Sequence, residues 1–348
     1  MRGGPVPLVE GVTETPTTFS GQFALSLDCT LAFSPGGYGV GGQRVLFWVD
    51  RQGHEEPLSA KPRAYAYPRL SPDGAKIAVS SLDEENDVWA FDLAKGTLTR
   101  LTFGATFEAH PAWTPDSKSL LFSSSASNPA TTNSPADIFR KTADGTGTME
   151  ALTQHLQGGY PLSISPDGKT LVFRKFGSSA GSLFLLPLEP KGEPRARIVD
   201  PRFSENKGEI SPDGRWLAYD SNESGRREVY VRPFPAVDSG RWQVSSEGGA
   251  DPVWARSGRE LFFVTAANRM VSVPVPAGSG FSYGNPQPLF DASAYLQLGF
   301  RAFDISADGK RFLMLKDAAR GNTAARPSIV VVSHWFDEVN RRIPSGGK

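Results

Sequence analysis

A four-residue turn of the Ser-Pro-Asp-Gly type, followed by a short apolar run, recurs along this chain at intervals of roughly 45 residues. The clearest copy is Ser211-Pro212-Asp213-Gly214, which precedes Trp216-Leu217-Ala218-Tyr219. Proline presets φ for the second turn position, aspartate bonds the backbone just beyond it, and glycine tolerates a positive φ. The apolar run then suits a buried strand. Further copies begin at Ser71, Thr114, Ser165, Ala255 and Ser306, and a degenerate one, Ser26-Leu27-Asp28-Cys29, precedes Leu31-Ala32-Phe33. Seven copies of one strand-turn-strand unit point to a repeat fold rather than to two unrelated domains.

Two more short strands fit into each repeat. After the Ser71 copy come Asp87–Phe91, a turn at Lys95-Gly96, and Leu98–Thr102. The third repeat offers Asp137–Phe139 and Ala151–Thr153, and the fifth Glu228–Val231 and Trp242–Val244. Four short strands per repeat, with no helical periodicity of useful length, describe the blade of a β-propeller. The expected fold is all-β: a seven-bladed β-propeller of four-stranded blades forming one domain over residues 1–348, with six blades if the degenerate copy fails to form one. Pro5–Val9 resembles Pro286–Phe290, the fourth strand of repeat six. Residues 5–12 are therefore expected to close the last blade beside a third strand at Ser328–Val332, with 340–348 a frayed tail. Trp113 and Trp254, at matching places in two first strands, are expected to pack between blades.

Composition narrows the function classes. Lys plus Arg and Asp plus Glu both number 37, so the basic excess of a nucleic-acid or anionic-membrane surface is missing. The single cysteine, Cys29, allows no internal disulfide and no cysteine-based zinc site. No apolar run approaches the length of a membrane span, and the N-terminus lacks the apolar core of a signal peptide.

The stretches Asp213–Gly225, Glu228–Pro235, Gly240–Val244, Gly258–Phe263 and Asp304–Phe312 carry a family resemblance. On them the chain resembles the TolB-type, WD40-like propellers with Pro-Asp repeats, and in particular the C-terminal propeller segment of bacterial receptor-type serine/threonine kinases. The Trp-Asp dipeptide of ordinary WD40 domains is missing, and so is the N-terminal α/β domain of TolB. The resemblance implies a periplasmic or extracytoplasmic sensory or scaffolding module. It carries over no kinase activity, because no kinase catalytic domain is present.

Local motifs argue against catalysis. Gly37–Gly42 has G-x-G-x-x-G spacing, but Val45–Trp48 reads as a strand where a dinucleotide site needs a helix. The repeated aspartates Asp73, Asp116, Asp167, Asp213 and Asp308 each have a turn role and no metal-loop spacing. A G-x-S-x-G nucleophile elbow is absent, and His54, His110, His155 and His334 show no ligand spacing. No cofactor and no metal are expected, and the chain reads as a non-catalytic, monomeric binding module. The competing class is an enzyme at the channel mouth, such as a propeller-type polysaccharide lyase or a peptidase-associated propeller.

Chemical variety is concentrated where loops lead into the first strands. Those positions carry Tyr65, Tyr67, Glu108, His110, Tyr160, Glu205, Lys207, Asp251 and Arg301. Aromatics mixed with both signs of charge suit a peptide or a small polar ligand. The near-identical turns at the other strand ends offer less discrimination. The loops Ser34–Gly42 and Ser123–Pro135 are expected to wall the same mouth.

Overall fold

The computed structural model describes residues 23–26, 29–33, 42–83, 86–103, 106–126, 137–154, 156, 159–175, 181–189, 202–295, 301–318, 329–335 and 339. The closing strand expected at 5–12, the tail 340–348, and most of the loops 34–42 and 123–135 lie outside them. The chain divides into two compact units, one formed by Met1–Gln43 with Asp317–Lys348 and the other by Arg44–Lys316.

The smaller unit holds β1 (Phe23–Leu25) and β2 (Leu31–Phe33). The larger begins with β3 (Arg44–Asp50) and β4 (Glu55–Pro57). Four strands follow: β5 (Tyr65–Leu70), β6 (Lys76–Ser81), β7 (Val88–Asp92) and β8 (Thr97–Arg100). Next are β9 (Glu108–Trp113), β10 (Ser119–Ser124), β11 (Asp137–Thr142) and β12 (Glu150–Ala151). A three-stranded sheet comes from β13 (Gly159–Ile164), β14 (Thr170–Lys175) and β15 (Ser182–Pro187). Then come β16 (Glu205–Ile210), β17 (Trp216–Ser221), β18 (Glu228–Pro233) and β19 (Trp242–Gln243). They are followed by β20 (Gly249–Trp254), β21 (Glu260–Thr265), β22 (Arg269–Pro274) and β23 (Gln287–Asp291). The last strands are β24 (Phe303–Ile305), β25 (Arg311–Asp317) and β26 (Val330–Val332). Consecutive strands pair antiparallel within each sheet, as the repeat pattern predicts.

The ends of the repeat array pair otherwise than expected. The sheet order β24-β25-β3-β4 joins the first two strands of the last repeat to Arg44–Asp50 and Glu55–Pro57. The third strand expected there, around Val330–Val332, pairs instead with Leu31–Phe33 in the sheet β1-β2-β26. Packing explains the exchange. Leu46 and Val49 of β3 are fully buried, each in a different apolar cluster, so β3 needs a neighbour on both faces. Ile329 and Val331 are 72% and 63% exposed, so among the described residues this strand has no covered second face.

Among the described residues, six apolar clusters bind the six sheets of the larger unit in a cycle. Val79 and Phe91 meet Leu46 and Leu313; Trp113 and Phe122 meet Ala78; Phe173 and Leu186 meet Leu121. Leu217 and Tyr219 meet Val172; Phe263 and Val271 meet Val231; Phe303 and Phe312 meet Val264 and Met270. The cycle is therefore closed by side chains as well as by β3. Trp113 and Trp254 are buried in this inter-sheet core, as expected.

The turns follow the sequence reading closely. Ser71 Oγ donates to Asp73 Oδ1 at 2.5 Å, and that oxygen accepts the Ala75 N–H at 3.0 Å. The same pair recurs at Ser165–Asp167, Ser211–Asp213 and Ser306–Asp308. Gly74, Gly168, Gly214, Gly258 and Gly309 all have φ between 67° and 75°. Cys29, in the degenerate copy, has φ 65° and bears a Cβ there. Cys29→Gly is expected to stabilise the smaller unit by about 1 kcal/mol, read as a higher urea midpoint. A lower midpoint would show that the thiol makes a contact worth more than the strain.

Candidate functional site

The first strands β5, β9, β13 and β16 stand side by side, as do β16 with β20 and β24 with β5. Each of β5, β9, β16 and β20 carries a bulge against its second strand, between Ala66 and Arg69, Ala109 and Ala112, Asn206 and Glu209, and Ala250 and Val253. The extra residue in each is left-handed: Tyr67 (φ 54°), His110 (58°), Lys207 (54°) and Asp251 (60°). An L-residue there costs about 1 kcal/mol or more, so the surroundings must hold it in place. A bulge breaks strand alternation and re-aims its side chain.

The re-aimed groups meet one another. The rings of Tyr67 and His110 stack with centroids 4.2 Å apart, and Tyr160 approaches His110 edge-on at 4.3 Å. Burial, with Arg69 and Arg174 nearby, holds the His110 imidazole well below its ordinary pKa, so it is neutral. Lys207 forms an ion pair with Asp251, whose N–H donates to Asp220 Oδ2 at 3.2 Å. The other expected residues lie elsewhere. Tyr65 is fully buried in an inter-sheet cluster and donates to the Lys61 carbonyl at 2.7 Å. Glu205 is fully buried at the start of β16.

Glu108 is buried beside a second carboxyl. It accepts from Thr106 at 2.5 Å and Ser124 at 2.9 Å, and the charge of Asp87 acts on it. Asp87 in turn pairs with Arg100 at 2.5 Å and accepts from Thr102 at 2.7 Å. Burial first, and then the Asp87 charge, push the Glu108 carboxyl up to about 7. The folded chain thus keeps a proton that the unfolded chain releases near pH 4.5, and this contribution to stability is lost as pH rises from there to about 7. Glu108→Gln, which carries a permanent donor, is expected to flatten the fall in urea midpoint between about pH 5 and 8. A wild-type midpoint that rises across that range would contradict the proton kept on Glu108.

At the other ends of the first strands lies a cavity of about 210 Å³. Pro72, Pro115, Pro166 and Pro212 of the repeated turns rim it, with Trp113 and Trp254 on its wall. This is the end that the uniform turns were expected to leave without a ligand. Its base is polar and spans the cycle of sheets. Arg301 pairs with Glu209 and, at 2.5 Å, with Asp304, and its Nε donates to the Phe303 carbonyl at 3.0 Å. Asp304 also accepts the N–H groups of Ile305 and, from the next sheet, Leu70, both at 2.8 Å. Arg69 reaches the Leu162 carbonyl at 3.2 Å and stands 3.9 Å from Glu209. Trp113 and Trp254 donate to the carbonyls of Arg69 and Glu209 at 2.9 and 3.1 Å.

Of the nine residues expected at a mouth, only Arg301 lines this cavity. Arg69, Glu209 and Asp304 went unread, although each stands two residues before a turn serine in a charged-apolar-Ser pattern. Plain alternation puts them on the same face as Tyr67 and Lys207. Only the bulge separates the two levels.

Sheets packed in a cycle around first strands that meet across a shared cavity define a β-propeller. The comparisons with known proteins agree on the fold. A candidate TolB from Agrobacterium tumefaciens superposes with TM-score 0.62, covering 79% of this chain and 98% of that one at 18% identity. Hydrazine synthase of Kuenenia stuttgartiensis gives 0.54, covering 96% and 98% at 16% identity. An oligogalacturonate lyase in complex with manganese gives 0.52, covering 76% and 79% at 15% identity. In sequence, an uncharacterized protein of Agrobacterium fabrum is 26% identical over 133 residues, 38% of this chain. The match spans 43% of that relative's length. No family model matches the chain. Among the described residues no helix is long and apolar enough to cross a membrane, and no group of three or more His, Cys, Asp or Glu is placed to hold a metal ion.

Proposed function

We propose that Arg44–Lys316 is a six-bladed propeller that serves as a non-catalytic binding module. Its ligand is a small polar molecule or a peptide segment taken into the cavity rimmed by the Ser-Pro-Asp-Gly turns. The observation that carries this reading is the cavity itself: about 210 Å³ with indole walls above a base of guanidinium and carboxylate groups. The opposite level of the first strands is occupied by Tyr67, His110 and Tyr160 packed ring against ring. Taken with the likeness of the sequence to receptor-kinase propellers, the proposed role is sensory or scaffolding, in an extracytoplasmic setting. The role is non-catalytic, since Arg301 and Asp304 at the base are tied to each other and to the backbone.

The test is calorimetric binding of the full chain against a panel of short peptides and oligosaccharides. Ser163, half-buried on the cavity wall, is then changed to tryptophan to fill the space. Ser163→Trp is expected to abolish binding, and Tyr67→Ala to leave it within about twofold. The reverse pattern would move the ligand to the other end of the first strands.

A further inference from the structure

The charged groups around the cavity do not balance. Its lining carries three guanidinium groups, Arg69, Arg256 and Arg301, against two carboxylates, Glu209 and Asp304. Arg301 takes up both carboxylates. Arg256, exposed at the rim, donates to the Leu70 carbonyl at 3.2 Å. Arg69 is 8% exposed, its Nε has no hydrogen-bond partner, and Glu209 at 3.9 Å is beyond hydrogen-bond reach. The nearby Asp251 is already paired with Lys207, and His110 is neutral. A buried guanidinium with an unsatisfied donor and a surplus positive charge is costly unless an anion offsets the charge.

We infer that the cavity takes a ligand through a carboxylate group, which docks on Arg69 Nη1, the guanidinium nitrogen that makes no hydrogen bond and is not sealed in by packing, with Arg256 closing over it from the rim. This rests on the reading of the cavity as the ligand site. One carboxylate oxygen accepts from Arg69 and the other from Arg256, a pair of charge-assisted bonds that a neutral amide cannot make. The electrostatics of Arg69 point the same way: burial and the neighbouring Arg301 push its pKa down to about 9. It is still charged at neutral pH. Trp113 and Trp254 supply flat apolar surface for the body of the ligand beside the charged base.

The experiment uses the full chain and matched probes: an N-acetylated dipeptide with a free C-terminal carboxylate, the same dipeptide amidated, galacturonate with its methyl ester, and inorganic phosphate. At least one free acid is expected to bind roughly tenfold or more tighter than its neutral counterpart, and which pair shows it tells a peptide end from a sugar acid. Phosphate, being tetrahedral, is expected to compete weakly. Arg69→Gln is expected to bring the acid-to-neutral ratio close to one. Arg69→Lys, which keeps the charge but loses the planar fork, should retain part of the preference. Circular dichroism and a melt on each variant confirm the fold. Equal affinity for acid and neutral probes, both abolished by Ser163→Trp, would overturn the carboxylate inference while leaving the cavity as the site. Acid binding that Ser163→Trp leaves untouched would overturn the cavity reading and this inference together. Failure of every acid in the panel to bind overturns the inference as well.

Discussion

Deleting Arg44–Pro57 is expected to leave no soluble, cooperatively melting protein, whereas a chain trimmed to 42–318 should melt within a few degrees of the full one. The deletion removes β3 and β4 and strips the edge of β25, whose N–H and C=O groups then face solvent or another chain. It also takes Leu46, Trp48 and Val49 out of two apolar clusters. Truncating one large buried side chain costs about 2–5 kcal/mol, so three together approach the whole stability of an ordinary domain. The latch has polar parts as well. Arg51 grips Glu260 of the neighbouring sheet with two bonds, at 3.0 and 2.5 Å, and Glu55 accepts from Tyr295 at 2.8 Å. Size-exclusion chromatography and a thermal melt decide the matter. A monomeric, cooperative deletion variant would mean that the cycle does not close through β3.

Asp304→Ala should be the most damaging single change at the cavity base, costing about 3–5 kcal/mol. Asp304 is 4% exposed and satisfies three donors: Arg301, its own neighbour Ile305, and Leu70 of the adjoining sheet. Alanine would orphan the Leu70 N–H and leave the buried Arg301 with half its counter-charge. Burial alone would raise the Asp304 pKa, but Arg301, Arg256 and Arg69 outweigh it and hold the carboxyl below its usual value. Its contribution is therefore fully present above the unfolded value near 3.8 and disappears as pH falls below that. Asp304→Asn, which keeps an acceptor, is expected to lose about half as much. The double variant Arg301→Met with Asp304→Leu removes both charges and should recover much of the loss. Urea denaturation at pH 7 and pH 3 measures all of these. A loss below about 1 kcal/mol for Asp304→Ala would show that water replaces the carboxylate, and that the base is wetter than its packing indicates.

Asp304 sits in a sequence pattern shared with Arg69 and Glu209, yet nothing in the sequence says that the three converge. The reason is the bulge. In a regular strand, Tyr67 and Arg69, or Lys207 and Glu209, would point the same way. The inserted left-handed residue sends Tyr67 to His110 and Lys207 to Asp251, and leaves Arg69 and Glu209 for the cavity. Left-handed tyrosine, histidine, lysine and aspartate have no sequence signature, because their strain is met by neighbours far away in the chain.

The sequence by itself determined the blade. Turn chemistry at Ser71–Gly74 and its copies, with apolar runs spaced for four strands, is local, and local backbone preferences are written in adjacent residues. Trp113 and Trp254 were legible for the same reason: they recur in register with the turns. Only the tertiary structure decided how the array ends. Val45–Trp48 reads as a strand and the valines at 330–332 as the third strand of the last repeat. The choice between them rests on which strand can bury both of its faces, and that depends on sheets hundreds of residues apart. The cavity belongs to the same level. Its charge surplus arises from five groups contributed by four different sheets, and a sum over distant residues is fixed only once the cycle has closed.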